Sequence, residues 1–248
     1  MIENKLKEYL FPVQEKKVYF EGRGSSLEKT QAYKSIIRVD TGKLISIMNN
    51  TYQLIPNSEI IKPLLEQLSK LDSKWYIDES HSFVQDNRMR LQVTFPDLTF
   101  NDGRSDIALS LFLNNSYDGS EGIRMHWGAI RFICTNGMVF GKVLSKFYSK
   151  HTSGFRLNNL IEQVNQTYDS IPVIKERIEL LQGMKVTKTL IESVDKQLGK
   201  KVIKQVHNQK SPGNQWILYN YITWYISHVV EYNMRAAYQL RLSRLFGL

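Results

Sequence analysis

The sequence predicts an α+β fold, with an antiparallel β-meander sheet in the N-terminal half packed with a helical C-terminal half. Three observations carry this expectation. Apolar residues recur at period two across 88–114, they recur at the helical period from about residue 157, and no strand-like run returns after Asn136-Gly137. Strands first and helices last is the order of an α+β chain rather than of alternating βαβ units. At 248 residues, with 42% hydrophobic and 23% charged side chains, the chain is long and apolar enough for one sizeable core. The expected organisation is a single domain over 1–248, with 1–136 mainly sheet plus one or two helices and 137–248 helical and basic. No internal repeat or low-complexity run interrupts it.

Element by element, Ile2, Leu6 and Leu10 sit at helical spacing until Pro12 breaks the pattern. Val18-Tyr19-Phe20 reads as a short strand. Residues 33–39 and 44–48 are rich in β-formers and flank Asp40-Thr41-Gly42-Lys43, with Gly where a turn wants positive φ, so they predict a hairpin. Tyr52-Gln53-Leu54-Ile55 reads as a third strand ended by Pro56. Asn57 or Ser58 is expected to cap a helix carrying Ile60, Ile61, Leu64, Leu65, Leu68 and Leu71, with Pro63 in its early turns.

Farther on, Met89, Leu91, Val93 and Phe95 alternate with Arg88, Arg90, Gln92 and Thr94, and Ile107, Leu109, Leu111 and Leu113 with Ala108, Ser110, Phe112 and Asn114, which reads as strands with one apolar face. A further strand is expected over 122–133. A long amphipathic helix is marked by Leu157, Leu160, Ile161, Val164, Tyr168, Ile171, Ile174, Ile178 and Leu181, with a kink at Pro172, and another by Leu190, Ile191, Val194 and Leu198. Residues 199–214 read as a polar loop. One last helix is expected over 215–246, and its aromatics on several faces suit a helix surrounded by protein or a subunit contact, hence a homo-oligomer through the C-terminal helix.

Several chemistries find no support. One Cys excludes an internal disulfide framework and a multi-cysteine metal site. Gly22-Arg23-Gly24-Ser25 lacks the Lys of a phosphate loop. The five histidines are scattered, and Pro96-Asp97 has no following acidic-x-Lys partner, so no metal or other cofactor is expected. Asp102 and Asp106 would hold Mg²⁺ only if their loop folded them together. Cys134, near His126 and His151, is either a paired nucleophile or a small buried residue. No apolar stretch reaches spanning length and no signal-peptide order opens the chain, so a cytoplasmic protein of a bacterial host, with no membrane partner, is the expectation.

Charge points to a partner. There are 33 Lys+Arg against 24 Asp+Glu, and residues 137–210 alone carry thirteen basic against six acidic side chains. Lys142, Lys146, Tyr148, Lys150 and Arg156 lie in a stretch without acid, and the 142, 146, 150 spacing would align three lysines on one side of a helix. Lys185, Lys188, Lys196, Lys200, Lys201, Lys204 and Lys210 form a second cluster around a helix and the loop after it. Together they suit a nucleic-acid backbone, with Tyr148 or Phe147 as a stacking face; a solvated Lys-rich surface has the same composition.

The runs Leu113-Asn114-Asn115-Ser116-Tyr117-Asp118-Gly119-Ser120, Arg131-Phe132-Ile133-Cys134-Thr135-Asn136-Gly137 and His151-Thr152 resemble the phage- and plasmid-encoded family called domain of unknown function 932. Tyr52-Gln53-Leu54-Ile55-Pro56-Asn57, and Leu218-Tyr219-Asn220-Tyr221-Ile222-Thr223 followed by His228, agree in order. The likeness spans roughly 30–246. It implies a DNA-handling setting beside replication and recombination, and it carries over no catalytic residue. Arg131, between Ile130 and Phe132, either reaches an anionic ligand or pairs with a carboxylate such as Asp118. The expected function is single-stranded DNA binding or annealing, or a replication and recombination accessory role. The alternatives are a nucleic-acid-modifying enzyme with Asp118, Arg131, Cys134 and His126 at one end of the sheet, and a virion or assembly interaction protein.

Overall fold

A computed structural model of the chain describes all residues except 1–5, 23, 86, 102–105, 132–136, 140–145, 153–155, 159–161, 163–170 and 208–210. Antiparallel sheets occupy the N-terminal half, and helices follow. The first sheet has the order β1-β2-β3, from β1 (Val13–Glu21), β2 (Leu27–Arg38) and β3 (Leu44–Asn49). The β2–β3 hairpin turns at Gly42, whose φ of +68° is the left-handed region that favours glycine. Val18-Tyr19-Phe20 is the middle of a nine-residue strand, longer than the apolar run alone suggested. Ladder bonds to β2 extend it through the charged Glu15-Lys16-Lys17.

Helix α1 (Asn57–Leu68) buries Ile60, Ile61, Leu64, Leu65 and Leu68, the positions that carry the helical period. Its start differs from expectation. Neither Asn57 nor Ser58 caps it; Pro56 occupies the cap, and the N–H of Asn57 is instead satisfied by the hydroxyl of Tyr117 at 2.7 Å. Tyr52-Gln53-Leu54-Ile55 is not a strand. It is an extended connection tied down by side chains rather than by a ladder.

The second sheet runs β10-β8-β7-β6-β4, from β4 (Tyr76–Ile77), β6 (Arg88–Asn101), β7 (Asp106–Ser116), β8 (Ile123–Arg131) and β10 (Lys146–Ser149), with β5 (Phe83–Gln85) on β6 and β9 (Gly137–Val139) on β8. Two strands therefore lie beyond residue 136, where only helix was expected. Both pair with β8, whose open edge supplies the ladder bonds. The period-two reading predicts one apolar face. Leu91, Val93, Phe95, Leu109, Leu111 and Leu113 are buried, yet so are Gln92, Thr94, Ser110, Phe112 and Asn114 on the other face.

Helices α2 (Ile171–Gly183), α3 (Lys188–Leu198), α4 (Lys200–His207), α5 (Gln215–His228) and α6 (Tyr232–Phe246) complete the chain. Pro172 stands at the start of the described part of α2, and most of the expected helix before it, with the kink expected there, lies outside the described residues. The expected polar loop after residue 199 is in fact a helix. Lys200, Lys201 and Lys204 are exposed on α4 while Val202 and Val206 are buried, and the Lys-rich exterior hides that short apolar stripe.

The single last helix is two. The N–H groups of Val229 and Val230 both bond to the carbonyl of Tyr225, at 2.9 and 3.3 Å, and Arg235 Nε donates to the Val230 carbonyl at 2.7 Å. The 228–232 break is thus closed by alternative partners for its backbone. One contiguous apolar cluster joins α1, the inner face of β6–β8 and residues of α2 to α6. A small second cluster of Phe11, Ile36, Tyr52 and Tyr117 fastens the β1–β3 sheet to this body.

Candidate functional site

Tyr117, at the end of β7, is where the two sheets meet. Its ring is buried and edge-on to Phe11, at 5.6 Å and 85°. Its carbonyl accepts from Ser46 Oγ at 2.5 Å, while its own N–H donates to the Asn87 carbonyl at 2.7 Å. Asn115 Nδ2 donates to Asn57 Oδ1 at 2.8 Å, Asn57 Nδ2 donates to the Tyr9 carbonyl at 2.9 Å, and the Tyr52 hydroxyl donates to the Ser116 carbonyl at 3.1 Å. Burial pushes both phenols above their ordinary range. Most of these bonds join residues far apart in the chain. The segments 52–57 and 113–120 therefore act as a structural junction.

Beside it, Asp118 accepts from Asn87 Nδ2, from the Ser120 N–H at 2.9 Å and from the Ser120 hydroxyl. Burial alone would raise this carboxyl, but the Ser120 bonds, with the charge of Arg88, hold it below the usual carboxylate range. Asp118 is thus a turn anchor. Arg131 lies at the opposite end of β8, where it pairs in register with Ile107 at the start of β7. By strand rise that is roughly 30 Å from the Ser116 end of β7. This distance rules out, of the two alternatives for Arg131, its pairing with Asp118, and it separates Asp118 from Arg131 in the site of the alternative enzyme reading; Cys134 itself lies outside the described residues.

His126 is placed between these ends, in mid-strand. It is buried and stacks on Phe112 at 5.1 Å and 18°, while the Arg90 guanidinium sits 4.9 Å from the same ring's centroid. Burial, with the nearby charges of Arg90 and Arg124, pushes its imidazole down to about 3. It stays neutral near pH 7 and is too weak a base there for proton abstraction.

A cleft of about 260 Å³ opens between the edge strands of the two sheets. Its lining includes Met48 and Asn49 of β3, Tyr148 of β10, Lys150 just after it, and Tyr52, Glu121 and His151. His151 stacks on Tyr52 at 4.8 Å and 16°, and it exchanges bonds with Gln53: its carbonyl accepts the Gln53 N–H at 2.9 Å, and its Nδ1 lies 3.2 Å from the Gln53 carbonyl. Burial lowers the His151 pKa, so the ring is held neutral. Glu121 is shifted upward by burial despite Arg124, whose Nη1 lies 3.3 Å from its carboxylate.

Tyr148 pairs in register with Arg124, its ring is 54% exposed, and the Arg124 guanidinium lies 5.8 Å from its centroid. Gly122 is required by this approach. A Cβ there would meet the Ser149 carbonyl oxygen at 2.5 Å.

The basic residues do not form the helix that was expected. Lys146 and Tyr148 belong to strand β10, Lys150 lies just past it, and Lys142 falls outside the described residues. The pairing of 146–149 with 123–126 overrides a helical spacing read from lysines alone. Arg156 is exposed before residue 157. Lys185 precedes α3, Lys188 and Lys196 lie on it, and Lys200, Lys201 and Lys204 lie on α4; all six are exposed. Lys188 has Glu192 at 3.9 Å, and among the described residues Lys150, Lys185, Lys196, Lys200, Lys201 and Lys204 have no ion pair. Lys210 lies outside the described residues. On the C-terminal helices Trp216 and Tyr219 are buried and stacked at 5.4 Å, whereas Trp224 is partly exposed.

Sequence reasoning did not single out Glu121, Tyr52 or His151 as cleft residues, nor Arg124 beside Tyr148 and Glu121. The signal available was positional: Tyr52 and His151 belong to motifs that carry the family likeness, and the structure brings them into ring contact.

The model of domain of unknown function 932 (DUF932) matches residues 44–244. The chain belongs to the DUF932 family. No curated protein and no solved structure matches it. For this DUF932 protein the matched span runs from the start of β3 into α6 and includes the residues that line the cleft, while β1 and β2 precede it. Among the described residues no helix is long and apolar enough to cross a membrane, and no group of three or more His, Cys, Asp or Glu is placed to hold a metal ion.

Proposed function

We propose that this DUF932 protein binds nucleic acid, with single-stranded DNA the favoured partner, as an annealing or replication and recombination accessory protein of a phage or other mobile element in a bacterial cytoplasm. The observation that carries this reading is the state of the lysines. Exposed ammonium groups with no ion pair among the described residues are able to exchange their counterions for phosphates, which is the main source of sequence-independent affinity. Tyr148, exposed on an edge strand with Arg124 against it and Lys150 beside it, adds a ring on which an unpaired base would stack. Preference for single strands follows from that ring, because bases within a duplex keep their faces covered.

The test is fluorescence anisotropy with a labelled oligonucleotide of about thirty residues, the matching duplex and an RNA of the same sequence, from about 50 to 200 mM salt. The reading expects tighter binding to the single strand, and a log–log salt slope of about −0.7 for each phosphate engaged. Joint substitution Lys200→Glu, Lys201→Glu and Lys204→Glu is expected to weaken binding and flatten that slope. Absence of binding, or binding indifferent to salt, removes the proposal. Partial exposure of Trp224, stacked on His228 at 4.9 Å, is the feature that supports self-association through the C-terminal helices. Light scattering at several protein concentrations tests it.

A further inference from the structure

The β1–β3 sheet leaves its aromatic side chains in solvent. Tyr19 is 53% exposed, Phe20 51% and Tyr33 53%. A protein that only needed this sheet as a brace would turn such rings inward. The inner face does behave as a brace. Ile36 is buried in the small cluster with Phe11, Tyr52 and Tyr117, and Lys34, next on that face, is held by Glu15 at 2.7 Å. The exposed rings are surplus to it.

Tyr19 has a cation in register, whereas Phe20 stands opposite Glu28 and Tyr33 opposite Asn49. Tyr19 stands opposite Lys29, Lys16 opposite Ser35 and Lys17 opposite Lys34. Lys16, Lys17 and Lys29 are exposed and carry no ion pair among the described residues. As neighbours on a strand, Tyr19 and Phe20 present their rings to opposite faces, and β1 is the edge of its sheet, so a polymer running along that edge reaches both. The surface also leads to the cleft: Tyr33 pairs with Asn49, which lines it together with Tyr148 and Lys150. Nine residues of β1 extend about 30 Å. Exposed rings near lysines that have no ion pair among the described residues, on two paired strands of that length, are elements from which single-strand tracks are built.

We propose that the β1–β3 sheet is a stacking arm, in which Tyr19, Phe20 and Tyr33 each receive an unpaired base of single-stranded DNA while Lys16, Lys17 and Lys29 meet its phosphates, continuing the path that starts at Tyr148. This rests on the nucleic-acid reading above and extends it to a region that no basic cluster of the C-terminal half includes.

The experiment uses the full chain and a labelled oligothymidine of about thirty nucleotides, with wild type, Tyr19→Ala, Phe20→Ala, Tyr33→Ala and the triple variant. Each single change is expected to lower affinity about 5- to 150-fold, which is what about 1–3 kcal/mol of stacking per base implies. The salt slope should stay as in wild type, since no charge is removed. Lys16→Gln, Lys17→Gln and Lys29→Gln together should instead flatten it by about 0.7 for each phosphate no longer engaged.

Tyr19→Trp gives a second readout that needs no deletion: the fluorescence of the introduced indole should be quenched when the strand binds. Because the three rings are exposed, thermal melts of the alanine variants should match wild type; should the triple variant melt early, quenching in Tyr19→Trp decides alone. If wild type binds DNA and neither the affinity of the alanine variants nor the fluorescence of the Tyr19→Trp variant changes, the arm is overturned while the nucleic-acid reading stands. If the alanine variants change only the oligomeric state, the rings are a self-association surface and the arm is likewise overturned. If wild type binds no DNA, both fall together.

Discussion

At the junction around Tyr117, backbone and side chains from 9, 46, 52, 57, 87, 115 and 116 are tied to one another by hydrogen bonds between 2.5 and 3.1 Å, almost all of it away from water. On α3 and α4 the lysine side chains are exposed to solvent, and among the described residues only Lys188 of these has an ion pair. The first region has the larger share of the runs that mark the family, the second the larger share of the charge. Their difference separates two ways in which a sequence stretch becomes noticeable. Polar residues set in a fixed order at a junction are explained by the cost of leaving buried donors and acceptors unpaired. Lysines gathered on exposed helix faces contribute little to stability, and their use lies outside the chain.

That separation is open to measurement. Tyr117→Ala should be the most damaging single change, because it removes a fully buried ring and strands the Asn57 N–H. Urea unfolding is expected to show a loss of about 3–5 kcal/mol. A loss below about 1 kcal/mol would mean the junction is not the fastening described. Gly122→Ala comes next. Its methyl group would have to displace the backbone at Ser149, and about 1–3 kcal/mol of destabilisation is expected, with faster amide exchange in β10 than in β7.

A pH titration gives an effect of about 2 kcal/mol over two pH units, comparable to that of Gly122→Ala. His126 has a folded pKa of about 3 against an ordinary value of 6.5, so the unfolded chain binds the extra proton first. Its contribution is fully present above about pH 6.5 and is lost as pH falls toward 3, at up to ~1.4 kcal/mol per pH unit. His151, also shifted down, acts in the same direction. Melts between about pH 7 and 5 should show falling stability, with a shallower fall in His126→Phe.

Smallest of all on stability should be Lys200→Gln, Lys201→Gln and Lys204→Gln, each within about 0.5 kcal/mol of wild type. Loss of DNA affinity in these variants without loss of stability would sharpen the contrast. Loss of stability in them would break it.

Much of the fold was legible because it is local. The hairpin at Gly42 announces itself by a turn residue between β-rich runs, α1 by apolar positions repeating on one face, and β6 and β7 by strict alternation. What escaped was decided at a distance. Lys146 to Ser149 carry no alternation that marks a strand, and they become one because β8 offers an open edge. Val202 and Val206 are too few to announce α4 among lysines, and they make a helix by packing on a core built by other segments. The 228–232 break has no Pro or Gly to signal it. For the candidate site, charge was readable as a total and as a sequence cluster, whereas the cleft was not, since Tyr52, Glu121, Tyr148 and His151 are scattered widely along the chain.

By itself, the sequence determined the α+β class, the order of strands before helices, most core positions, the family likeness and the location of the excess lysines along the chain. These follow from periodicity and composition, which act over a few residues at a time. Tertiary structure decided that Arg131 and Asp118 stand at opposite ends of the sheet, that Tyr117 is a fastening between sheets, and that Tyr148 and the end of β3 line one cleft. Those outcomes depend on strand register and on the pairing of distant buried polar groups, which no local pattern encodes.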